Sequence, residues 1–172
     1  MGGLYPPEFE CDAILKDGRC VHIRPLNFDE YDRLDDLYQR SSEESLRKRF
    51  GWTEAREWLR SIKGCSEDSQ LCLIAQYPND SEVPEVVGDC WYFVEVGTGS
   101  AEVSILVRDD FQNRGLGTQM MEQLVKIAKV EGLYRLFVLV NLTNHPMLTI
   151  VKRLKFTFIH SADASHLYRL DL

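Results

Sequence analysis

The chain has 172 residues, of which 44% are hydrophobic and 27% charged, with a formal net charge of −7. That length suits one compact domain with a core of its own, and the spread of aliphatic and aromatic residues excludes a disordered chain. No apolar run exceeds five residues, the start MGGLYPPEFECD lacks a basic region followed by an apolar block, and no basic stripe is present; a soluble cytoplasmic protein is expected, without a membrane span or a nucleic-acid partner.

The first 12 residues read as an N-terminal extension to a single domain over 13–172. Ala13–Lys16 and Cys20–Arg24 form a predicted hairpin around Asp17-Gly18, a pair suited to a tight turn. A helix over roughly 29–40 follows, with Asn27 or Asp29 as cap and Tyr31, Leu34, Leu37 and Tyr38 at helical spacing. Ser41, Ser42 and Glu44 open a second helix to Phe50. Thr53 caps a third that carries Trp58, Leu59 and Ile62. The period then changes to strands: Leu71–Gln76, an exposed loop from Tyr77 to Glu85, and a hairpin of Val86–Val96 and Ala101–Val107 around Gly97–Ser100. A helix runs from Gly115 to Val130, where Gly132 ends it. Tyr134–Val140 is almost continuously apolar, which predicts a strand covered on both faces. Thr143 or Asn144 caps a helix from Pro146 to about Leu154. Strands near Phe156–His160 and His166–Leu170 close the chain, and the order predicts an α/β (α+β) fold with a mixed sheet and one parallel crossover.

Charge is divided unevenly. Residues 1–111 hold 12 basic and 23 acidic side chains, net −11, whereas residues 112–172 hold 8 and 4, net +4. This points to an anionic ligand toward the C-terminal part and a cationic partner toward the N-terminal part. The run Asp29, Glu30, Asp32, Asp35, Asp36, Glu43 and Glu44 is a solvated face or a surface that steers a basic acceptor. Five cysteines and four histidines are scattered without C-x-x-C or i, i+4 spacing, so neither a disulfide framework nor a metal site is expected.

The segment Gln112-Asn113-Arg114-Gly115-Leu116-Gly117-Thr118 joins a strand to a helix. Glycines there let backbone approach a ligand closely, and the unpaired N–H groups of the first helical turn favour an oxyanion such as pyrophosphate. Arg114 adds a side-chain cation. No Lys-Ser/Thr follows, so this is not a Walker loop, and Met120 stands where a dinucleotide fingerprint needs glycine. In AEVSILV, Glu102 alternates with Ala101 and Val103 on a strand expected to be central and covered. Partial desolvation would raise its pKa toward use as a general base.

This Q-x-x-G-x-G unit resembles the acyl-CoA-binding motif of the GCN5-related N-acetyltransferase (GNAT) superfamily. The stretches LKDGRCVHIRPL, SSEESLRKRF, AEVSILVRDDFQNRGLGTQMMEQLVKIAKVEG and NHPMLTIVKRLKF are similar to the acetyltransferase domain of bacterial protein lysine acetyltransferases. The resemblance covers roughly residues 13–160, and the synthetase-like and cyclic-nucleotide-binding domains of some relatives have no counterpart in it. It implies the GNAT fold: a mixed central sheet of about six to seven strands with a splayed parallel pair, flanked by four to five helices. It further implies acetyl-CoA as co-substrate, without a metal, lying between strands 101–107 and 134–140. Backbone groups near Leu106 and Val107 would pair with pantetheine, Gln112 to Thr118 (Gln112, Asn113, Arg114, Gly115, Leu116, Gly117 and Thr118) would hold the pyrophosphate, and Asn144 would bind near the pantetheine or the acyl sulfur. Glu102 takes the position of the family's catalytic glutamate.

One departure stands out. Many members carry Y-x-K-x-G-F on the last helix, with a tyrosine that protonates the leaving thiolate. Here Val151 takes the tyrosine place and Lys155 the glycine place. The expected partners are acetyl-CoA and an amine acceptor, either a protein lysine or a small amine such as a polyamine, amino acid or aminoglycoside; a homodimer stays open as the assembly. A non-catalytic acyl-CoA-binding module is the alternative of another class. Cys72 and Cys90 as acyl carriers, His145 as a proton shuttle, and Phe50, Trp52 and Trp58 as an acceptor lining complete the candidates.

Overall fold

The computed structural model describes residues 5–51, 54–62, 69–80 and 82–172. Eight strands form a single sheet: β1 (Cys11–Ile14), β2 (Cys20–Pro25), β3 (Gln70–Tyr77), β4 (Glu85–Glu95), β5 (Ser100–Val107), β6 (Arg135–Asn141), β7 (Thr157–Ala162) and β8 (Ser165–Asp171). Their order across the sheet is β1-β2-β3-β4-β5-β6-β8-β7. Every neighbouring pair is antiparallel except β5 and β6. The sheet exceeds the expected six to seven strands because β1 and the outer β7 both join the ladder. Five helices accompany it: α1 (Asp32–Gln39), α2 (Glu43–Phe50), α3 (Ala55–Ile62), α4 (Leu116–Val130) and α5 (His145–Arg153).

Alternation along the strands sends side chains to two cores. On one face Ala101 and Val103 of β5 and Leu136, Val138 and Val140 of β6 pack against Leu116, Met120, Leu124 and Ile127 of α4 and Val151 of α5. On the other, Trp91 and Leu106 pack against Leu34, Leu37 and Tyr38 of α1 and Leu59 and Ile62 of α3. Each such aliphatic side chain contributes about 1.5–3 kcal/mol on burial. Phe9, in a 3-10 turn ahead of β1, is 2% exposed within the first core, so this turn packs onto the domain.

Local chemistry accounts for the boundaries. Gly18 has φ +86 in the β1–β2 turn, and Ser42 caps α2 by accepting from the Ser45 N–H. Asn27 caps a short 3-10 turn rather than α1, with Glu30 completing the capping box. Asn144 caps α5 through its Oδ1, which accepts from Met147 N–H. Thr53, Trp52 and Cys65 lie outside the described residues. β6 departs from the expected double cover: Leu136, Val138 and Val140 are buried, but Leu139 is 53% exposed. The N-terminal helices cover β3 to β5 and stop short of β6, so its second face borders a cleft.

Candidate active site

The cleft originates in the parallel pair. β5 and β6 are in register only from Ser100 to Glu102, opposite Arg135 to Phe137. Beyond Glu102 the two strands part while β4 continues to pair with β5 through Val107. Because Arg108 N–H donates to Val87 C=O on the β4 side, antiparallel alternation turns the N–H groups of Ile105 and Val107 toward the gap. Leu106 N–H faces β4 instead, where the Asp89 carboxylate accepts from it at 3.2 Å. The Leu106 amide is therefore engaged, and Ile105, absent from the expected contacts, offers the free edge beside Val107.

A bend follows the strand. Arg108 braces it by pairing with Glu85 at 2.9 Å and Asp110 at 2.6 Å, while Phe111 is buried beneath. The Arg108 bonds hold the Asp110 carboxyl below its ordinary range. The Gln112 amide donates to Val107 C=O at 2.8 Å and to Ser45 Oγ at 2.9 Å, so its side chain ties β5 to α2. Asn113 and Gly115 take left-handed conformations, φ 58 and φ +94, and α4 starts without a side-chain cap. The first N–H groups of α4 thus lie open to an acceptor from outside, the arrangement a diphosphate requires. A Cβ at position 117 would sit 3.2 Å from Ile150 Cδ1, so glycine there lets α4 approach α5.

This bend borders a cavity of ≈ 250 Å³ with Lys16, Gly115, Thr118 and Arg153 in its wall. The Arg114 guanidinium turns away, toward Asp17 at 3.1 Å and Asp110 C=O at 3.1 Å. Lys16 and Arg153 supply the positive side chains; they lie far from the motif in sequence and escaped detection there. The narrow cavity between β5 and α5 comes next, lined by Leu106, Val107, Gln112, Asn144 and Ile150. It meets a third cavity of ≈ 410 Å³, whose wall includes Glu102, Ser104, Trp58, Leu139 and Asn144. Arg49, Ile105 and Asn144 border both. Glu102, Phe93 and Phe137 share one rung of the sheet, at the point where the ladder opens.

Glu102 is exposed rather than covered, because its side chain opens onto the third cavity instead of under a packed layer. Its rung and the cavity it lines, not desolvation, single it out. Cys72 and Cys90 are completely buried, and burial pushes both thiols up, away from thiolate chemistry. His145 is exposed, and neither it nor any tyrosine lines the three cavities among the described residues. Val151 is fully buried in the core beneath α5. Of the aromatic candidates, Trp58 borders the third cavity, and Phe50 packs against it with ring centroids 5.2 Å apart. No cluster of metal-ligating side chains occurs among the described residues.

Comparison with known proteins agrees with this geometry. The model of the acetyltransferase (GNAT) family matches residues 31–156. An acetyltransferase of Pseudomonas aeruginosa is 26% identical over 155 residues, covering 88% of this chain and 82% of that protein. The GNAT domain of PAT from S. lividans superposes with a TM-score of 0.83 at 24% identity, over 98% of this chain and 99% of that one. RimL, a ribosomal L7/L12 alpha-N-protein acetyltransferase in complex with coenzyme A, has a TM-score of 0.70 at 14% identity, over 88% and 94% of the two chains. An open strand pair, an uncapped helix after a glycine bend, and a family model spanning both lead to one assignment: the chain belongs to the GNAT family of acetyl-CoA-dependent N-acetyltransferases.

Proposed function

We propose that this protein acetylates a lysine side chain of a protein by direct attack on acetyl-CoA in a ternary complex, with Glu102 as general base. The observation that carries this reading is the position of Glu102: it lines the third cavity at the rung where β5 and β6 separate, and that cavity joins the one along β5 and α5. The bend from Gln112 to Thr118 receives the diphosphate, the gap-facing edge of β5 receives pantetheine, and the thioester then lies near Ile105 and Asn144.

A lysine ammonium, with an ordinary pKa of ~10.4, must lose a proton before its lone pair can attack. Glu102 takes that proton, through water. The nitrogen then bonds to the thioester carbon, and the oxyanion accepts from a gap-facing N–H of Ile105 or Val107. The nitrogen sheds its second proton to solvent, and collapse breaks the C–S bond and releases CoA as thiolate. With a thiol pKa of about 8.5, that leaving group departs without a positioned acid, consistent with valine at position 151. A protein acceptor is favoured because Arg47 borders both the third cavity and grooves outside it along α1 to α3 and beside Thr143, a continuous surface for a polypeptide.

The test is thiol release from acetyl-CoA with lysine peptides. Glu102→Gln should lower kcat at pH 7 by about 10²–10⁴, the range for a lost general base, while acetyl-CoA affinity by calorimetry stays within about twofold. Undiminished turnover would rule Glu102 out as the base.

A further inference from the structure

The third cavity has a charge opposite to the one that the acidic N-terminal half suggests. Consecutive residues of α2, Arg47, Lys48 and Arg49, line it, and among the described residues Glu102 is the one carboxylate in its wall. Other acidic side chains of that half lie outside this wall. Glu30 accepts from Arg24 and Arg33, and Asp35 accepts from Arg56 and Gln39. Asp35, Glu43 and Glu54 border the adjoining groove between α1, α2 and α3 and do not enter the wall of the third cavity. Glu44 pairs with Lys48, but its own side chain is 77% exposed, and such a pair exchanges readily for another carboxylate.

Arg49 gives an independent indication. Its side chain is 6% exposed, and its guanidinium lies over the rings of Phe50 and Trp58 at 4.5 and 4.6 Å. Nε and Nη2 are enclosed without a hydrogen-bond partner among the described residues. The nearest carboxylate, Asp89, is 4.0 Å from Nε and already accepts from the Tyr38 hydroxyl and Leu106 N–H. Where it borders the two cavities, Arg49 adds its positive charge to that of Arg47 and Lys48. On the proposed reading the phosphates of acetyl-CoA take the other end, near Lys16 and Arg153, which leaves this positive wall facing the acceptor.

We infer that the acceptor lysine lies in an acidic segment, with Asp or Glu side chains beside it that contact Arg47, Lys48 and Arg49 while its amine faces Glu102. This rests on the reading of the acceptor as a protein lysine. A lysine flanked only by neutral or basic residues brings its positive charge toward three cations uncompensated; flanking carboxylates turn that repulsion into complementarity.

The experiment compares lysine peptides that differ only in their flanking residues, Glu, Ala or Arg, by thiol release from acetyl-CoA. The acidic peptide should exceed the alanine peptide in kcat/KM by about tenfold or more at low salt, with the gap closing as ionic strength rises. Arg flanks should fall below alanine. The double variant Arg47→Glu, Lys48→Glu should invert the order, which a loss of folding could not imitate; circular dichroism checks the fold. Equal rates on acidic and alanine flanks, or an unchanged order in the double variant, overturn the inference and leave the lysine reading standing. Turnover of small amines with none of any peptide overturns both.

Discussion

Glu30 shows how one side chain can carry several obligations. Its carboxylate accepts from Arg24 Nη1 and Nη2 at 2.8 and 2.7 Å, from Arg33 Nη1 at 3.0 Å and from Asn27 N–H at 3.1 Å. Burial alone would raise its pKa, but the Arg24 bonds outweigh burial and hold it at about 2, against an ordinary 4.5. A carboxyl depressed in the folded state stabilises above its unfolded pKa, and that stability is lost as pH falls. Glu30→Gln should therefore cost about 1–2 kcal/mol at pH 7, allowing for solvent screening. The deficit should shrink between pH 4.5 and pH 2, as measured by urea unfolding across that range. The single residues that matter most for chemistry were unequally legible. Glu102 follows from strand alternation and resemblance, yet its exposure depends on the cavity that forms over its face, which no local pattern encodes. Lys16 and Arg153 reach the bend from opposite ends of the chain. Arg49 sits in a charged helix that reads as solvated, and two aromatic rings enclose it.

At the level of elements, α5 tests a backbone rule. Lys155 occupies the left-handed position after the helix, φ 62, with Lys155 N–H donating to Lys152 C=O at 3.1 Å and Phe156 N–H to Val151 C=O at 2.9 Å. These two bonds are the Schellman closure normally served by glycine, so the turn forms despite the substitution. A non-glycine residue there costs about 1–2 kcal/mol, partly offset because glycine has more freedom to lose on folding. Lys155→Gly should raise stability by about 0.5–1 kcal/mol and Tm by a few degrees in a thermal scan. The element boundaries were readable because caps, turns and periodicity agree, as at Ser42, Gly18 and Asn144. The double cover expected for β6 was not met: an unbroken apolar run cannot distinguish a second packed layer from the wall of a cleft.

For the molecule as a whole, the donor site draws on distant parts of the chain: Lys16 beside β1, Ser45 of α2, the β5 edge, the bend before α4, and Ile150 and Arg153 of α5. A ligand held by so many elements binds the folded state and not the unfolded one. Acetyl-CoA at 100 times its Kd should then stabilise by about 2.7 kcal/mol, raising Tm by roughly 5–10 °C for a domain of this size. Gly115→Ala, which forces a Cβ onto φ +94, should reduce that shift in the same differential scanning measurement. Which elements gather there is a matter of topology, visible to sequence only through family resemblance. The Asp109 carboxylate accepts from Ser42 N–H at 2.8 Å, Ser42 Oγ at 2.7 Å and Ser45 Oγ at 2.8 Å, and Gln112 completes the clasp. The bend proposed to hold the nucleotide and the helix α2 that borders the third cavity are thus riveted together. On the proposed reading, whatever acetyl-CoA does to the affinity for the acceptor, the acceptor must do equally to the affinity for acetyl-CoA.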